Sequence, residues 1–238
     1  MIDYNNLTIP EATRIQREMQ QEVKIVPYEG PLNYIAGADI SFNKFSTTVY
    51  AGIVLLKFPS LIPVGYSLVK KEVLFPYVPG FLAFREVPAL LEAWEQMPVK
   101  PDILVVDGHG IAHPRRMGIA SHFGVLANQP AIGSAKKKLF GMYEEPAPEK
   151  GSHSPLTDKQ GLLLGNVLRS KNKVNPIFVS PGHLIDVPGS LDILQQCIKG
   201  YRLPEPTRLA HNAVNQFRVG AIAEGWSEGG TAGTAFSF

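Results

Sequence analysis

Four consecutive apolar residues, Ile103–Val106, constrain the fold of this 238-residue chain more than any other feature. A strand that is apolar at every position is buried on both faces, as in the middle of a sheet covered by helices on both sides. The segment before it, Phe81–Met97, has a helical pattern of apolar residues. Because a strand–helix–strand order favours a crossover and parallel pairing, this region predicts an α/β fold.

The rest of the chain supplies strands and helices for a mixed sheet. A helix is predicted to start at Thr8, with Glu11 placed to complete its cap, and to run to about Lys24. Segments rich in β-branched and aromatic residues predict an antiparallel meander of three strands, Tyr34–Ser41, Thr47–Phe58 and Pro63–Phe75. Later patterns predict helices at 118–127, 189–198 and 207–223 and strands at 130–134, 161–169 and 176–180. We therefore expect a mixed β-sheet flanked by α-helices.

Length and composition favour one globular domain. The chain is 45% hydrophobic and 18% charged and contains no linker, so residues 1–223 are expected to form a single domain. Residues 224–238 are rich in Gly, Ser and Thr, which predicts a disordered tail. No apolar run approaches the ~20 residues that span a bilayer, and residues 1–4 lack the basic start of a secretory signal. We expect a cytoplasmic protein without a membrane partner.

Cysteine content and net charge narrow the chemistry further. Cys197 is the only cysteine, which excludes an internal disulfide and a multi-cysteine zinc site. It falls within an apolar helical pattern, so we expect it in the core. The net charge is only +2, so any argument for a polyanionic partner must come from local charge.

Three carboxylates occur where apolar residues would be expected. Asp39 interrupts a strand of small and apolar residues, and Asp107 directly follows the buried Ile103–Val106 run. Glu86 lies on the same helical stripe as Leu82, Leu90 and Ala93, although Pro88 suggests that the helix starts or kinks nearby. Each acid taken singly could be a turn cap or an edge carboxylate. A buried charge must be paired or bind metal, so the three together favour a metal site.

The chemistry of that site follows from its ligand type. Oxygen ligands without a cysteine cluster suit a hard cation such as Mg²⁺ or Mn²⁺, which typically bridges carboxylates to a substrate phosphate. Such a cation polarises a phosphoryl oxygen and lowers the pKa of an attacking water. The carboxylates therefore point to phosphodiester hydrolysis.

Local charge supports a nucleic-acid substrate. The segment 107–138 holds five basic residues, Arg115, Arg116 and Lys136–Lys138, and one acid, Asp107. We expect Arg115, Arg116, Lys137 and Lys138 to contact phosphates, although Lys137 and Lys138 could equally form a solvated face. Lys136, nearest the strand end, is the better functional candidate. In most proteins His211 would be an ordinary helix histidine. Only its occurrence together with the carboxylates and basic residues described above makes it a candidate metal ligand or proton carrier.

An aromatic residue is held in a rigid turn by prolines, in the sequence Pro76-Tyr77-Val78-Pro79-Gly80. Because prolines fix the backbone, Tyr77 could be a preorganised wedge that stacks on a base. Tyrosines between prolines are also common surface packing residues. The residues alone leave both interpretations open.

On these sequence motifs taken together, the chain resembles the endonuclease V family of deoxyinosine endonucleases from about Thr8 to Arg218. Several motifs occur in the same order as in the family, and together they make the resemblance specific. An isolated Asp-Gly-His-Gly sequence would not be enough. The matching stretches are Ala36–Phe42, Pro76–Glu86, Asp107–Gly110, His113–Arg115, Ala120–His122, Ile132–Lys136, Ser180–His183 and Leu203–His211.

The resemblance implies a ribonuclease-H-like fold and a Mg²⁺-dependent endonuclease, with Mn²⁺ able to substitute. It implies recognition of hypoxanthine in DNA, and of inosine in RNA in some members. It also implies a cut one phosphodiester beyond the lesion on its 3′ side, leaving 3′-hydroxyl and 5′-phosphate ends. We expect a monomer whose partner is DNA containing deoxyinosine.

Residue roles also follow from the resemblance. It implies that Asp39 and Asp107 are metal ligands and that Glu86 is a further acidic catalytic group. His211 would complete the metal and water environment, Lys136 would contact the phosphate or orient the nucleophile, and Tyr77 would fill the gap left by a flipped-out base. The residues matching the family's lesion pocket are Gly80, Leu82, Gly108, His113, Gly118 and Ile119.

Three alternatives remain open at this point. An inosine-specific endoribonuclease would use the same site. A general nuclease or resolvase could share the fold, since fold alone does not set the substrate, but it would lack the wedge. A non-catalytic, structure-specific nucleic-acid binder would not need the three carboxylates.

Overall fold

The computed structural model describes residues 2–43 and 46–229, and within them the chain forms five helices and nine strands. The helices are α1 (Ile9–Glu22), α2 (Leu82–Glu95), α3 (Ile119–Ala127), α4 (Val187–Gln196) and α5 (Glu205–Arg218). The strands are β1 (Tyr34–Phe42), β2 (Thr48–Lys57), β3 (Pro63–Glu72), β4 (Ile103–Val106), β5 (Ala131–Ala135), β6 (His153–Thr157), β7 (Leu163–Leu168), β8 (Ile177–His183) and β9 (Gly225–Glu228).

All nine described strands belong to one sheet, in the order β6-β7-β8-β5-β4-β1-β2-β3-β9. β4 pairs in parallel with β1 and with β5, and the remaining neighbours are antiparallel. The predicted meander β1–β2–β3 and the crossover into β4 are both confirmed. The predicted mixed sheet with flanking helices is therefore correct.

Helices cover both faces of the sheet, as the apolar β4 requires. On one face Leu104 and Val106 pack in a core with α2 and α3, and on the other Ile103 and Val105 pack in a core with α4 and α5. All four β4 residues are fully buried. Cys197 lies in the second core, as predicted. Within the described ranges, no helix has the length and apolarity needed to cross a membrane.

Two strands were not predicted from the sequence: β9, at the start of the expected tail, and β6. Residues 225–228, expected to be disordered, form β9, which pairs with the outer edge of β3 and sets Trp226 against Gly65. The tail prediction is therefore wrong for these four residues, while 230–238 lie outside the described residues. β6 was also missed, because its sequence His-Ser-Pro-Leu-Thr lacks the apolar alternation of a core strand. Pro88 does not start α2, which continues through it from Leu82.

Candidate active site

Two carboxylates meet at one end of the central strands. The backbone N–H of Asp107, directly after β4, donates to the Ala38 carbonyl at 2.9 Å, which sets Asp107 beside Asp39 on β1. The two side chains are only 9% (Asp39) and 10% (Asp107) exposed. The parallel pairing of β1 with β4 thus brings together two acids that are 68 residues apart in the sequence.

A histidine from helix α5 completes this cluster. Nδ1 of His211 lies 2.7 Å from Oδ2 of Asp39. The approach is possible because β1 carries Gly37, where a Cβ would lie 1.9 Å from the carbonyl oxygen of Pro206 at the start of α5. Potential ligand atoms of Asp39, Asp107 and His211 all lie within 4.8 Å of one another. This spacing is suited to a single cation.

Electrostatics of the cluster also favour a cation. Burial, followed by repulsion from Asp39, raises the pKa of Asp107 to about 6, although Lys136 opposes the shift. Burial and repulsion from the same two aspartates raise the pKa of Glu86, on α2, well above its ordinary value. An excess of buried carboxylate is relieved when a divalent ion binds, so the donor set of two carboxylates and an imidazole fits Mg²⁺ or Mn²⁺.

Lys136 lies next to this cluster, as expected of the lysine nearest the strand end. It follows β5, the parallel neighbour of β4, and its Nζ forms an ion pair with Oδ2 of Asp107. The structure thus brings together all five residues predicted to be catalytic. Glu86 supplies no atom to the group of close ligand atoms, and faces the cluster from the adjoining pocket.

A pocket of about 240 Å³ adjoins the carboxylates, and Glu86 and Asp107 form part of its wall. Two segments of its wall can lie against each other because Gly118 has no side chain, since a Cβ there would lie 2.2 Å from the carbonyl oxygen of His109. Tyr77 stands at its edge with 64% of its surface exposed. The pocket is lined by every residue predicted for the lesion pocket, namely Gly80, Leu82, Gly108, His113, Gly118 and Ile119.

The turn that carries Tyr77 is fixed on both sides by polar side chains. Before the turn, Nη1 of Arg85 donates to the Phe75 carbonyl at 2.8 Å. After it, the carbonyl of Gly80, a residue with φ of +82°, accepts from Nη2 of Arg115 at 2.7 Å and from Nε2 of Gln16 at 3.1 Å. Gln16 is fully buried and accepts a further bond from Nε of Arg115. The turn is therefore held rigidly against the pocket.

The four residues predicted to contact phosphates have different surroundings. Arg115 makes the internal bonds just described and stacks over Phe81, with Cζ 4.3 Å from the ring centroid. Arg116 forms an ion pair of 2.5 Å with Asp158. Lys137 and Lys138 are exposed and line a separate pocket next to Lys136. Phosphate binding by the four stays a prediction, and the geometry favours the two lysines.

Some residues of the site were not singled out from the sequence. His109, Met117 and Leu139 also line the pocket, and His109 belongs to the Asp-Gly-His-Gly string. Burial lowers the pKa of His109 to about 4, so the ring is neutral at physiological pH. Gln16 could have been found from its position on the stripe that holds Ala12 and Met19, the buried face of α1.

A mixed sheet with flanking helices, and a carboxylate cluster at the ends of its central strands, defines a ribonuclease-H-like protein with a candidate metal centre. The sequence matches the family model for endonuclease V over residues 16–212. The chain therefore belongs to the endonuclease V family of nucleases, as its motifs predict.

Solved structures of the family agree with this assignment. Endonuclease V of Streptomyces avermitilis is 37% identical, with a TM-score of 0.85 over 92% of this chain and 96% of that one. The catalytic domain of human endonuclease V is 32% identical, with a TM-score of 0.81 over 89% and 97% of the two chains. Endonuclease V of Ciona intestinalis, in complex with a 24-mer DNA containing an inosine followed by a ribo-adenosine, is 25% identical, with a TM-score of 0.78 over 89% and 98%.

Proposed function

We propose that this protein is a metal-dependent endonuclease that recognises hypoxanthine in DNA and hydrolyses one phosphodiester beyond the lesion, on its 3′ side, as a first step of DNA repair. The observation that carries the proposal is that Glu86 and Asp107 belong both to the carboxylate group and to the wall of the 240 Å³ pocket. A base bound there places the backbone that follows it beside the cluster. The inosine-containing DNA bound by the Ciona relative supports the same substrate class.

Asp39, Asp107 and His211 would hold the cation, which we propose to be Mg²⁺, with Mn²⁺ able to substitute. When bound, it supplies Lewis-acid polarisation of the phosphoryl oxygen and a more acidic water. Lys136, already paired with Asp107, would contact the scissile phosphate and offset its charge. Glu86, buried beside both aspartates, adds the further acidic group. Hydrolysis would leave 3′-hydroxyl and 5′-phosphate ends.

Tyr77 would act before the chemistry. Extruding a base from duplex DNA costs a few kcal/mol, and least for a mismatched or damaged base. An exposed aromatic ring on a fixed turn can occupy the vacated space and offset part of that cost, as wedges do in other DNA-bending proteins. The prolines, Arg85, Arg115 and Gln16 keep the ring placed for this role before DNA binds.

We also propose that the enzyme is cytoplasmic and works as a monomer; the monomer is supported by the candidate site, all of whose residues come from one chain. An RNA substrate containing inosine would suit the same pocket and cluster. The direct test is nicking of matched inosine and adenosine substrates as single-stranded DNA, duplex DNA and RNA, with Mg²⁺ present. Cutting of inosine DNA alone or best supports the proposal, whereas equal cutting of adenosine controls points to a general nuclease. Preference for RNA would make the enzyme an endoribonuclease.

A further inference from the structure

A further pocket, of about 420 Å³, is lined by Lys136, Lys137 and Lys138, and apart from these three lysines it has no part in the scheme above. We call it the downstream groove, and its lining includes Lys136, Lys137, Lys138, Tyr143, Asn175 and Arg202. Its volume is in the range of pockets that bind small ligands. The groove opens to solvent among exposed side chains, so a chain-like ligand could enter and leave it.

The groove is continuous with the candidate active site. Lys136 belongs to both, because its Nζ pairs with Asp107 while its carbonyl accepts from Nη2 of Arg202 at 2.7 Å. The next carbonyl, of Lys137, is 2.9 Å from Nε2 of His109, which lines the first pocket. The cluster and the groove are therefore direct neighbours, joined by Lys136 and Lys137.

Charge in the groove suits phosphate groups. Lys137 and Lys138 are exposed, and Arg202 is fixed by the carbonyls of Asn175 and Pro176 at 2.9 and 3.1 Å. The acid that lines the groove, Glu145, forms an ion pair with Arg169 at 2.7 Å, and the pair adds no net negative charge. Clustered lysine and arginine beside a phosphodiester-cleaving centre is the usual footprint of a nucleic-acid backbone.

One wall of the groove offers a surface for a base. The half-buried ring of Tyr143 packs edge-on against Phe178, with centroids 5.4 Å apart and planes at 79°, so its orientation is fixed. Nζ of Lys138 lies 5.8 Å from the centroid of the same ring. A fixed aromatic ring among cations is how proteins bind single-stranded nucleic acid without reading its sequence.

We propose that the downstream groove binds the nucleotides on the 3′ side of the cut, which become the 5′-phosphate end of the product. The inference rests on the proposed function. The first pocket has Glu86 and Asp107 in its wall, and the groove begins at Lys136, whose Nζ pairs with Asp107, so both adjoin the cluster. A strand that leaves its lesion base in the first pocket and crosses the cluster enters the groove with its 3′ segment.

The test uses single-stranded inosine DNA with a constant 5′ part and with one, two, four or eight nucleotides beyond the cut. In wild type, KM falls as the 3′ segment lengthens, by about five- to 150-fold for one stacked base. The variants Tyr143→Leu and Lys137→Ala/Lys138→Ala lose most of that gain in KM. The lysine pair also lowers the slope of log KM against log salt by about 1.4, or about 0.7 per phosphate contact. Lys57→Ala, an exposed lysine where β2 pairs with the start of β1, keeps wild-type behaviour.

Several results would overturn the inference. One is a KM that does not depend on the 3′ length, and another is a length dependence that survives in both variants. In a second substrate series with a constant 3′ part, a gain from 5′ extension that is lost in the two variants would show that the groove binds the 5′ segment instead. If wild type fails to cut any inosine substrate, the proposed function fails instead. Anisotropy of labelled inosine-free single strands then tests the groove separately, and equal affinity of the lysine pair variant and Lys57→Ala rules it out.

Discussion

Nδ1 of His211 contacts Oδ2 of Asp39 at 2.7 Å, although 172 residues separate them. The contact joins helix α5 to the central strand β1, and it exists because Gly37 lets the start of α5 approach the strand. The nearby ion pair of Lys136 with Asp107 joins the next two strands in the same way. The cluster is therefore a product of tertiary packing between β1, α5 and the ends of β4 and β5.

Removing either carboxylate should separate binding from cleavage. Asp39→Asn and Asp107→Asn keep the side-chain volume but take away a charged ligand, so nicking of inosine DNA should fall at least about 100-fold. Affinity for the lesion, measured by anisotropy with Mg²⁺ absent, should stay near wild type, because base contacts come from the pocket. Asp192→Asn, an exposed acid on α4, is the matched control. Normal cleavage by Asp107→Asn would refute the metal assignment.

The raised pKa of Asp107 makes a prediction for the metal-free protein. A carboxyl whose folded-state pKa is about 6, against 3.8 ordinarily, binds its proton more tightly in the folded state. Its contribution to stability is present below about pH 4 and is lost as pH rises through 6. Compared with Asp107→Asn, the melting temperature of metal-free wild type should therefore decline between pH 4 and pH 7. Taking the difference cancels the opposite effect of histidines with lowered pKa, such as His122.

Adding Mg²⁺ at pH 7 should restore much of that stability to wild type and little to Asp107→Asn, because the cation replaces the proton at the carboxylate. Differential scanning calorimetry with and without a chelator measures both effects. Parallel melting curves for the two proteins across this pH range would contradict the electrostatic account.

Tyr77 should matter for lesion binding and little for folding. Tyr77→Ala should weaken binding to inosine duplex DNA by about 1–3 kcal/mol, or five- to 150-fold, through lost stacking. Tyr77→Phe should bind like wild type, because it keeps the ring. The ring is 64% exposed and makes a tilted contact with Phe42 at 6.2 Å, so melting should change little. A large drop in melting temperature with normal lesion binding would make Tyr77 a packing residue.

Gln16 should affect both stability and the choice of base. Gln16→Leu leaves the carbonyls of Gly80 and Met117 without the bonds that Nε2 donates at 3.1 and 3.0 Å, which should cost about 1–3 kcal/mol in the free energy of unfolding. A looser turn should also reduce the ratio of kcat/KM for inosine over adenosine. Gln21→Leu, on the exposed face of the same helix, should change neither. Unaltered selectivity in a folded Gln16→Leu would show that the turn does not depend on this residue.

The parts of the fold that could be predicted from sequence are those with a local cause. Ile103–Val106 is apolar at every position because both faces are covered, and Thr8 with Glu11 forms the capping box that its spacing predicts. Asp39 and Asp107 stood out because each carries a charge next to apolar neighbours. Each of these signals depends only on residues that are neighbours in the sequence, so the element or site residue could be predicted without knowing the rest of the fold.

The parts that could not be predicted depend on distant partners. β9 forms because the edge of β3 and Gly65 accommodate Trp226, 161 residues further along the chain. Composition predicted Arg115 and Arg116 as phosphate contacts, but it could not show that their guanidinium groups also have internal partners on Gln16 and Asp158. Composition records the charge of a side chain, but burial and partners decide what that charge does.

The most direct test of the account is to map the product of a 5′-labelled DNA strand that contains one inosine, with Mg²⁺ and with a chelator. The account predicts a single product that ends one nucleotide 3′ of the inosine and carries a 3′-hydroxyl that a polymerase extends, and no product with chelator. Cleavage at other positions, cleavage of the adenosine strand at the same rate, or undiminished cleavage in chelator would contradict it.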